Sequence, residues 1–479
     1  MYHSWSLFVG LFVAFEWALR VGMLFVVPKN RPPSSATAWL MLIMLEPSLG
    51  TAIFIVFGKP KLPKTRRLMQ KNADAHIAQE LSEQSGFDVS VRELSAQNEQ
   101  FIKLNHALGG FPVVRGGSVR FLDNYEESFE SLVKDINEAK TRILLEYFIL
   151  ALDDATLPIW IALEEAKKRG VEVYVLFDAV ISQHYPHFRK LKKRMTEAGI
   201  LWKPMLPLRL WPGKNFTRPD LRNHRKIVVI DGQIGYTGSQ NIIDKHYNRS
   251  DDLYYEELVV RVSGPVVWQL EALFRTDWYL ETRTFLPGST QHIETEDVSA
   301  QVLPSGPSHG GSNNLKLYTS LVHSAEEKIV IVTPYFVPDD ALLTALTSAA
   351  QRGVAVTIIN SEIIDKILVG HAQRSYYEEL LLAGVRIYMY KKPVFLHTKH
   401  LTIDDDVAVV GSSNLDIRSF ELSQEVSLVL YDTRVVSKLR LLERRYMDGS
   451  LQVNLYSWQK RPLYLKSLDS LARLTSSLQ

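Results

Sequence analysis

His224, Lys226 and Asp231 return 173 residues later as His397, Lys399 and Asp404, so a His-x-Lys-x4-Asp string occurs twice in the chain. The register runs on, because Gly238, Ser239 and Asn241 trail the first histidine at the offsets at which Gly411, Ser412 and Asn414 trail the second. One such string arises by chance in roughly a few per cent of chains this long. Two that share six identities in register are an internal repeat, either one with chemistry or one kept for structure alone. An imidazole serves as nucleophile or proton donor near neutrality, and two supplied by symmetric halves can divide those roles. Lysine adds positive charge where negative charge accumulates.

The elements around these residues follow from local pattern. Residues 227–230 and 400–403 read as strands, which puts His224 with Lys226, and His397 with Lys399, on one face of each sheet. Asp231 and Asp404 close those strands ahead of Gly232 and of Asp405-Asp406, a position that suits a turn-stabilising carboxylate better than a catalytic one. Upstream, 142–148 is a buried-strand run, 157–169 an amphipathic helix, and Gly170 leads into a strand over 171–177. The second half repeats this order, with a strand over 329–332, a helix over 341–352, Gly353, and a strand over 354–359. Gly109-Gly110 and Gly116-Gly117 mark the entry to this region, and the Pro/Gly/Ser-rich stretch 304–312, or the segment just before it, marks its middle. The expected fold is α/β, with two similar lobes of mixed sheets flanked by helices over 112–300 and 301–479, their strand ends meeting at one cleft.

The paired motifs identify a resemblance to the phospholipase D superfamily, whose members carry two HKD motifs. Within it the chain resembles the bacterial cardiolipin synthases of the two-motif type. Three further stretches carry this likeness: paired hydrophobic segments at the N-terminus, Thr333-Pro334-Tyr335-Phe336-Val337-Pro338, and Asn414-Leu415-Asp416-Ile417-Arg418-Ser419. The resemblance implies a phosphatidyltransferase, in which one motif histidine attacks phosphorus to form a phosphohistidine while the other protonates the leaving alkoxide. Carried over, the catalytic set is His224, Lys226, Asp231, His397, Lys399 and Asp404, with His224 favoured as nucleophile. Lys226 and Lys399 would hold phosphate oxygens, and Ser239, Asn241, Ser412 and Asn414 could add hydrogen bonds. Such preorganised donors are typically worth about 3–4 kcal/mol each at the transition state. Family members hold the motif histidines with a downstream acid, which Glu425 matches in the second half and Glu257 in the first, with Glu256 and Asp252 as alternatives. No metal and no cofactor is implied.

Composition agrees with a membrane enzyme. The 479 residues are 46% hydrophobic with a formal net charge of +2, which argues against the concentrated basic surface of a nuclease and against a nucleic-acid partner. Residues 5–27 and 38–57 are apolar runs that would be about 34 and 30 Å long as helices, enough to cross a hydrocarbon core. They predict a transmembrane helical hairpin over 1–60, with a helical linker over 61–111. Full spanning is favoured over shallow or re-entrant insertion, although Glu16, Arg20, Glu46 and Pro47 interrupt the two runs. Lys59, Lys61, Lys64, Arg66 and Arg67 follow the second run, against Lys29 and Arg31 between the runs and no Lys or Arg before the first. By the positive-inside rule the chain is expected to be multi-pass in a bacterial inner membrane, with the lobes on the cytoplasmic side. The same cluster suits anionic headgroups.

The expected reaction converts two phosphatidylglycerol molecules to cardiolipin and glycerol. The alternatives are phospholipase D hydrolysis to phosphatidic acid, a tethered scaffold, and a nuclease. Oligomerisation stays open. Tyr147, Tyr335 and Phe336 end strands that should point toward the cleft, where they could touch substrate, but aromatic core is the commoner fate of such residues. His184, His187, His246 and His371 lack metal-site spacing. Residues 206–211, flanked by prolines, are an apolar loop suited to the membrane interface. The absence of cysteine excludes disulfides.

Overall fold

The computed structural model describes residues 2–29, 31, 33–58, 62–83, 96–208, 218–247, 253–289, 296–310 and 312–476. Lys59, Lys61, Asp252 and residues 209–212 lie outside the described residues. The chain divides into two units, one of residues 1–62 with 218–220 and one of the remainder.

The smaller unit begins with a 25-residue helix, Tyr2–Val26, of which Leu7–Val26 is long and apolar enough to cross a membrane. The second apolar run departs from expectation. Instead of one helix over 38–57 it forms two, Pro33–Leu45 and Pro47–Phe57, broken at Glu46. Proline at the first position of the second helix explains the break: its ring clashes with a continuing helix but fits a new N-terminus.

The larger unit carries two sheets with one topology. The first runs Val119–Leu122, Val259–Ser263, Ile234–Gly238, Ile227–Ile230, Arg142–Tyr147, Glu172–Asp178, Leu201–Met205. In the second, the corresponding order is Val298–Ser305, Ser423–Tyr431, Val407–Gly411, His400–Ile403, Lys328–Val332, Ala355–Ser361, Arg386–Tyr390. That sheet is extended by Val114–Gly117 at one edge and Ser450–Gln452 at the other. Both are mixed, and along these orders strands pair in parallel where a helix such as Leu157–Lys168 or Asp340–Gln351 makes the crossover. The chain therefore enters the second sheet before it builds the first. Val114 pairs with Ala300, and a division at 300/301 would cut the strand Val298–Ser305. Hydrophobic pattern could not reveal this, because an eight-residue strand buried on both faces carries no mark of the sheet it joins.

Alternate strand residues face two different cores. Ile227 and Val229 point with Val330, Val332, Val426 and Leu428 into a core shared by both sheets, where the helix Val266–Thr282 contributes Trp268 and Phe274. Val228 and Ile230 face the outer layer of the first lobe, and Leu401 and Ile403 the outer layer of the second. Burial on both faces fixes the register, since a one-residue slip would exchange the two cores. That register fixes the strand ends from which the motif residues project.

Candidate active site

Two short parallel pairings join the lobes where their strand ends meet. Arg222–Asn223 pairs with Ser423–Gln424, and Val394–Leu396 pairs with Tyr254–Glu256. Each leads straight into a motif histidine. The His224 backbone N–H donates to the Gln424 carbonyl at 2.9 Å, and that of His397 to the Glu256 carbonyl at 2.8 Å. The next residue on each partner strand is an acid, and the acid meets the imidazole. His224 Nδ1 lies 3.0 Å from both Glu425 carboxylate oxygens, and His397 Nδ1 lies 2.8 Å from Glu257 Oε1. Each histidine is thus held by the acid of the opposite lobe. Of Glu257 and Glu256, it is Glu257 that makes the contact, whereas the Glu256 carboxylate lies 3.5 Å from Arg445.

Two serines position the acids instead of lining the cavity. The Leu258 N–H donates to Ser239 Oγ at 2.9 Å and the Val426 N–H to Ser412 Oγ at 3.0 Å, while the Ser412 hydroxyl donates to Glu425 and that of Ser239 donates to the carbonyl of Leu258, the residue after Glu257, at 3.3 Å. Both serines are fully buried. The preceding glycines make this approach possible: a Cβ on Gly238 would sit 2.3 Å from the Leu258 carbonyl oxygen, and one on Gly411 2.2 Å from that of Val426. The repeated Gly-Ser thus brings each serine against the strand that carries the acid, an orienting position and not one on the cavity wall.

His224 and His397 line one cavity of about 440 Å³. Asn241 and Asn414 line it too, and neither buried Oδ1 has a hydrogen-bond partner among the described residues, so each carboxamide can turn its N–H groups toward a bound oxygen. Phe148 and Tyr255 meet the two imidazoles edge to face, at 4.7 and 5.5 Å between ring centres. Tyr335 belongs to the wall, whereas Tyr147 and Phe336 pack into the outer cores.

The two lysines sit immediately behind the histidines. Lys226 Nζ donates to the His224 carbonyl at 2.7 Å and Lys399 Nζ to that of His397 at 2.6 Å. Burial pulls Lys226 down to about 7 and Lys399 to about 8, against the pull of Glu425 and Glu257. Burial, then Lys226 and Lys399, hold His224 well below the ordinary imidazole value. In His397 burial outweighs the Glu257 carboxylate and the value falls to about 4. The acids diverge. Burial pushes Glu425 up to about 7, whereas in Glu257 the opposing burial is outweighed by His397, Lys399 and Ser239, leaving it below its usual range.

Asp231 and Asp404 lie outside this cavity. The Asp231 carboxylate accepts the backbone N–H groups of Lys140, Thr141 and Arg142 at 2.8–2.9 Å, and that of Asp404 those of Glu326, Glu327 and Lys328 at 2.8–3.1 Å. Both have positive φ, +53° and +44°, a conformation aspartate tolerates better than most residues. They fasten the far ends of the motif strands to the strands beside them, and their place in the catalytic set is corrected to a structural one.

Several contributors escaped the sequence pattern. Lys366 and Arg418 line the cavity and add cations. Arg225, buried between His224 and Lys226, donates to the Glu425 carbonyl at 3.1 Å and pairs with Asp277, tying the central helix to the acid that holds His224. Its counterpart in the repeat is Thr398, so comparing the halves could not single it out. Arg418 belongs to the Asn414–Ser419 stretch that follows the second motif, where its charge is the available signal. Lys366 had no signal, because only the fold brings it to the cleft.

Comparisons with known proteins agree with this geometry. A family model described as cardiolipin synthase, PLD-like domain, matches residues 132–278 and 318–443, more than half the chain. Cardiolipin synthase 1 of Bacillus anthracis is 30% identical, over 98% of this chain and 94% of its own length. Cardiolipin synthase A of Pectobacterium carotovorum is 32% identical, over 99% and 98%. Among solved structures, phosphatidylserine synthase of Haemophilus influenzae shares the fold with a TM-score of 0.59 at 14% identity, covering 79% of this chain and 99% of that one.

Proposed function

Because the chain belongs to the cardiolipin synthase family of phospholipase D-like proteins, we propose that it transfers a phosphatidyl group from one phosphatidylglycerol to the terminal hydroxyl of a second, releasing glycerol. The supporting observation is the pair of motif histidines in one cavity, each held at Nδ1 by the other lobe's glutamate. With Nδ1 engaged, Nε2 is the nitrogen left for chemistry.

The two environments divide the roles. His224 is neutral in the resting site, the state a nucleophile needs. Its Nε2 attacks phosphorus, and the bond to the departing glycerol oxygen breaks. His397 is held at about 4 in the empty site, and it takes up a proton at Nε2 as the anionic phosphodiester enters beside the ionised Glu257. That imidazolium gives the proton to the departing oxygen. In the second step His397 removes the proton from the incoming hydroxyl, whose oxygen attacks phosphorus as the P–N bond breaks, and His224 is regenerated. Lys226 and Lys399, with the amides of Asn241 and Asn414, offset the charge on the non-bridging oxygens. Lysines at about 7 and 8 in the empty site become fully charged when an anionic phosphodiester enters.

Aromatic and aliphatic walls, including Phe148, Ile149, Ile181 and Val369, suit the glyceride portion of a lipid and limit water beside the phosphohistidine. The apolar N-terminal helix supports attachment to a bacterial cytoplasmic membrane, and the Lys and Arg residues that follow the second apolar run favour the cytoplasmic side for the catalytic unit. The test is to incubate purified protein in vesicles with phosphatidylglycerol labelled in its headgroup and acyl chains. Labelled cardiolipin and free glycerol are expected. Phosphatidic acid as the sole lipid product would replace this reading with hydrolysis.

A further inference from the structure

The second apolar segment turns back on itself. Trp39 and Phe54 meet edge to face with ring centres 5.3 Å apart, although fifteen residues of continuous helix would separate them by about 22 Å. A Cβ on Gly50 would lie 2.9 Å from the Ile43 Cα, so the glycine permits backbone-to-backbone contact between Pro33–Leu45 and Pro47–Phe57. The turn is at Glu46-Pro47. These helices have 13 and 11 residues, about 20 and 16 Å, and neither reaches across the roughly 30 Å hydrocarbon core that takes about 20 helical residues.

Two arginines seal the ends of this hairpin. Arg20, on the long helix and 3.7 Å from Glu16, donates through Nε to the Met44 carbonyl at 3.2 Å, in the last turn of the first short helix. Arg31 donates to the Gly58 carbonyl and lies over the Phe54 ring, 5.1 Å from its centre. Helix breaks within a bilayer survive only where the freed carbonyls find protein donors, and Arg20 supplies one at the turn. Arg20 is also six residues from the end of Tyr2–Val26, so the tip reaches about 9 Å along that helix, within one leaflet. Met41, Leu45, Leu49 and Ile55 are exposed around the hairpin, an apolar surface that acyl chains would cover.

We infer that residues 33–57 form a re-entrant wedge in one leaflet, entering and leaving on the side of the catalytic unit, and that Tyr2–Val26 alone crosses the bilayer. The charge pattern carries this further. With a second full span, Lys29 and Arg31 would lie on the face opposite Lys59, Lys61, Lys64, Arg66 and Arg67. With a wedge all seven share one face, and residues 1–4, ahead of the long apolar run, include no Lys or Arg. This is the arrangement the positive-inside rule favours. The bound partner is thus the cytoplasmic leaflet, held asymmetrically beside the enzyme that uses its lipids.

The chain has no cysteine, so single thiols report sidedness directly. Three full-length variants suffice: Pro28→Cys in the connection, Ser467→Cys in the catalytic unit, and one with a cysteine added ahead of Met1. Each is labelled with a membrane-impermeant maleimide in intact spheroplasts and in inverted vesicles, and cardiolipin formation is measured in the same membranes. The wedge requires Pro28→Cys and Ser467→Cys to react only in inverted vesicles and the added cysteine only in spheroplasts. Reaction of Pro28→Cys from the opposite face to Ser467→Cys would establish a second span and overturn the wedge, as would finding all three thiols on one face. Neither result bears on catalysis, which the lipid product reports separately.

Discussion

Removing either imidazole should stop turnover, but for different reasons. On the proposed mechanism His224→Ala deletes the nitrogen that takes the phosphatidyl group, and His397→Ala deletes the proton donor to the leaving oxygen. Each variant is expected to lose about three orders of magnitude or more in rate, with no phosphohistidine detectable in His224→Ala by mass spectrometry. Glu425→Gln tests the hold on Nδ1. A carboxamide can fix the wrong tautomer and cannot stabilise an imidazolium, so kcat should fall by about two to four orders of magnitude while the fold persists. The lysines set the pH response. In the empty site Lys226 and Lys399 lose their protons as pH rises through about 7 and about 8, so kcat/KM should decline on the alkaline side across that window. The decline should weaken in kcat at saturating lipid, because bound phosphate restores both charges. A flat kcat/KM between pH 7 and 9 would remove the lysines from substrate binding.

Among the elements, the strand junctions fastened by Asp231 and Asp404 can be separated from catalysis. Asp231→Ala and Asp404→Ala each lose three backbone acceptor bonds and place alanine at positive φ. Each is expected to cost about 1–2 kcal/mol in thermal unfolding, with rates near wild type once folded. For Asp231 burial is outweighed by these bonds and the carboxyl stays below its usual range. Its contribution is therefore complete above about pH 4 and is lost as pH falls through the folded value. The motif strands and the strand-helix-strand units were legible in the chain because period-2 and 3.6-residue patterns are local. What was not legible depends on long-range pairing: Val114–Gly117 joining the second sheet, Ser239 and Ser412 turning to the acids, Lys366 reaching the cleft. The division of 38–57 had a local sign in Glu46-Pro47, but hydrophobicity averaged over the run hides a two-residue break.

At the scale of the molecule, the two lobes exchange parts. Neither half holds a complete histidine–acid pair, since His224 depends on Glu425 and His397 on Glu257. The repeat is thus one site divided between two lobes, and on the proposed mechanism its similar halves take different roles because burial pushes the Glu425 carboxyl up while that of Glu257 is held down. Both histidines belong to one cavity of one chain, so mixing His224→Ala with His397→Ala protein should restore no activity. Recovery on mixing would mean that two chains share a site. The double-displacement route leaves its own record at phosphorus. A phosphatidylglycerol made chiral at phosphorus with oxygen isotopes or sulfur should give cardiolipin with retained configuration, each in-line attack inverting it once. Inversion in the product would mean direct transfer between the two lipids and would contradict the phosphohistidine on His224.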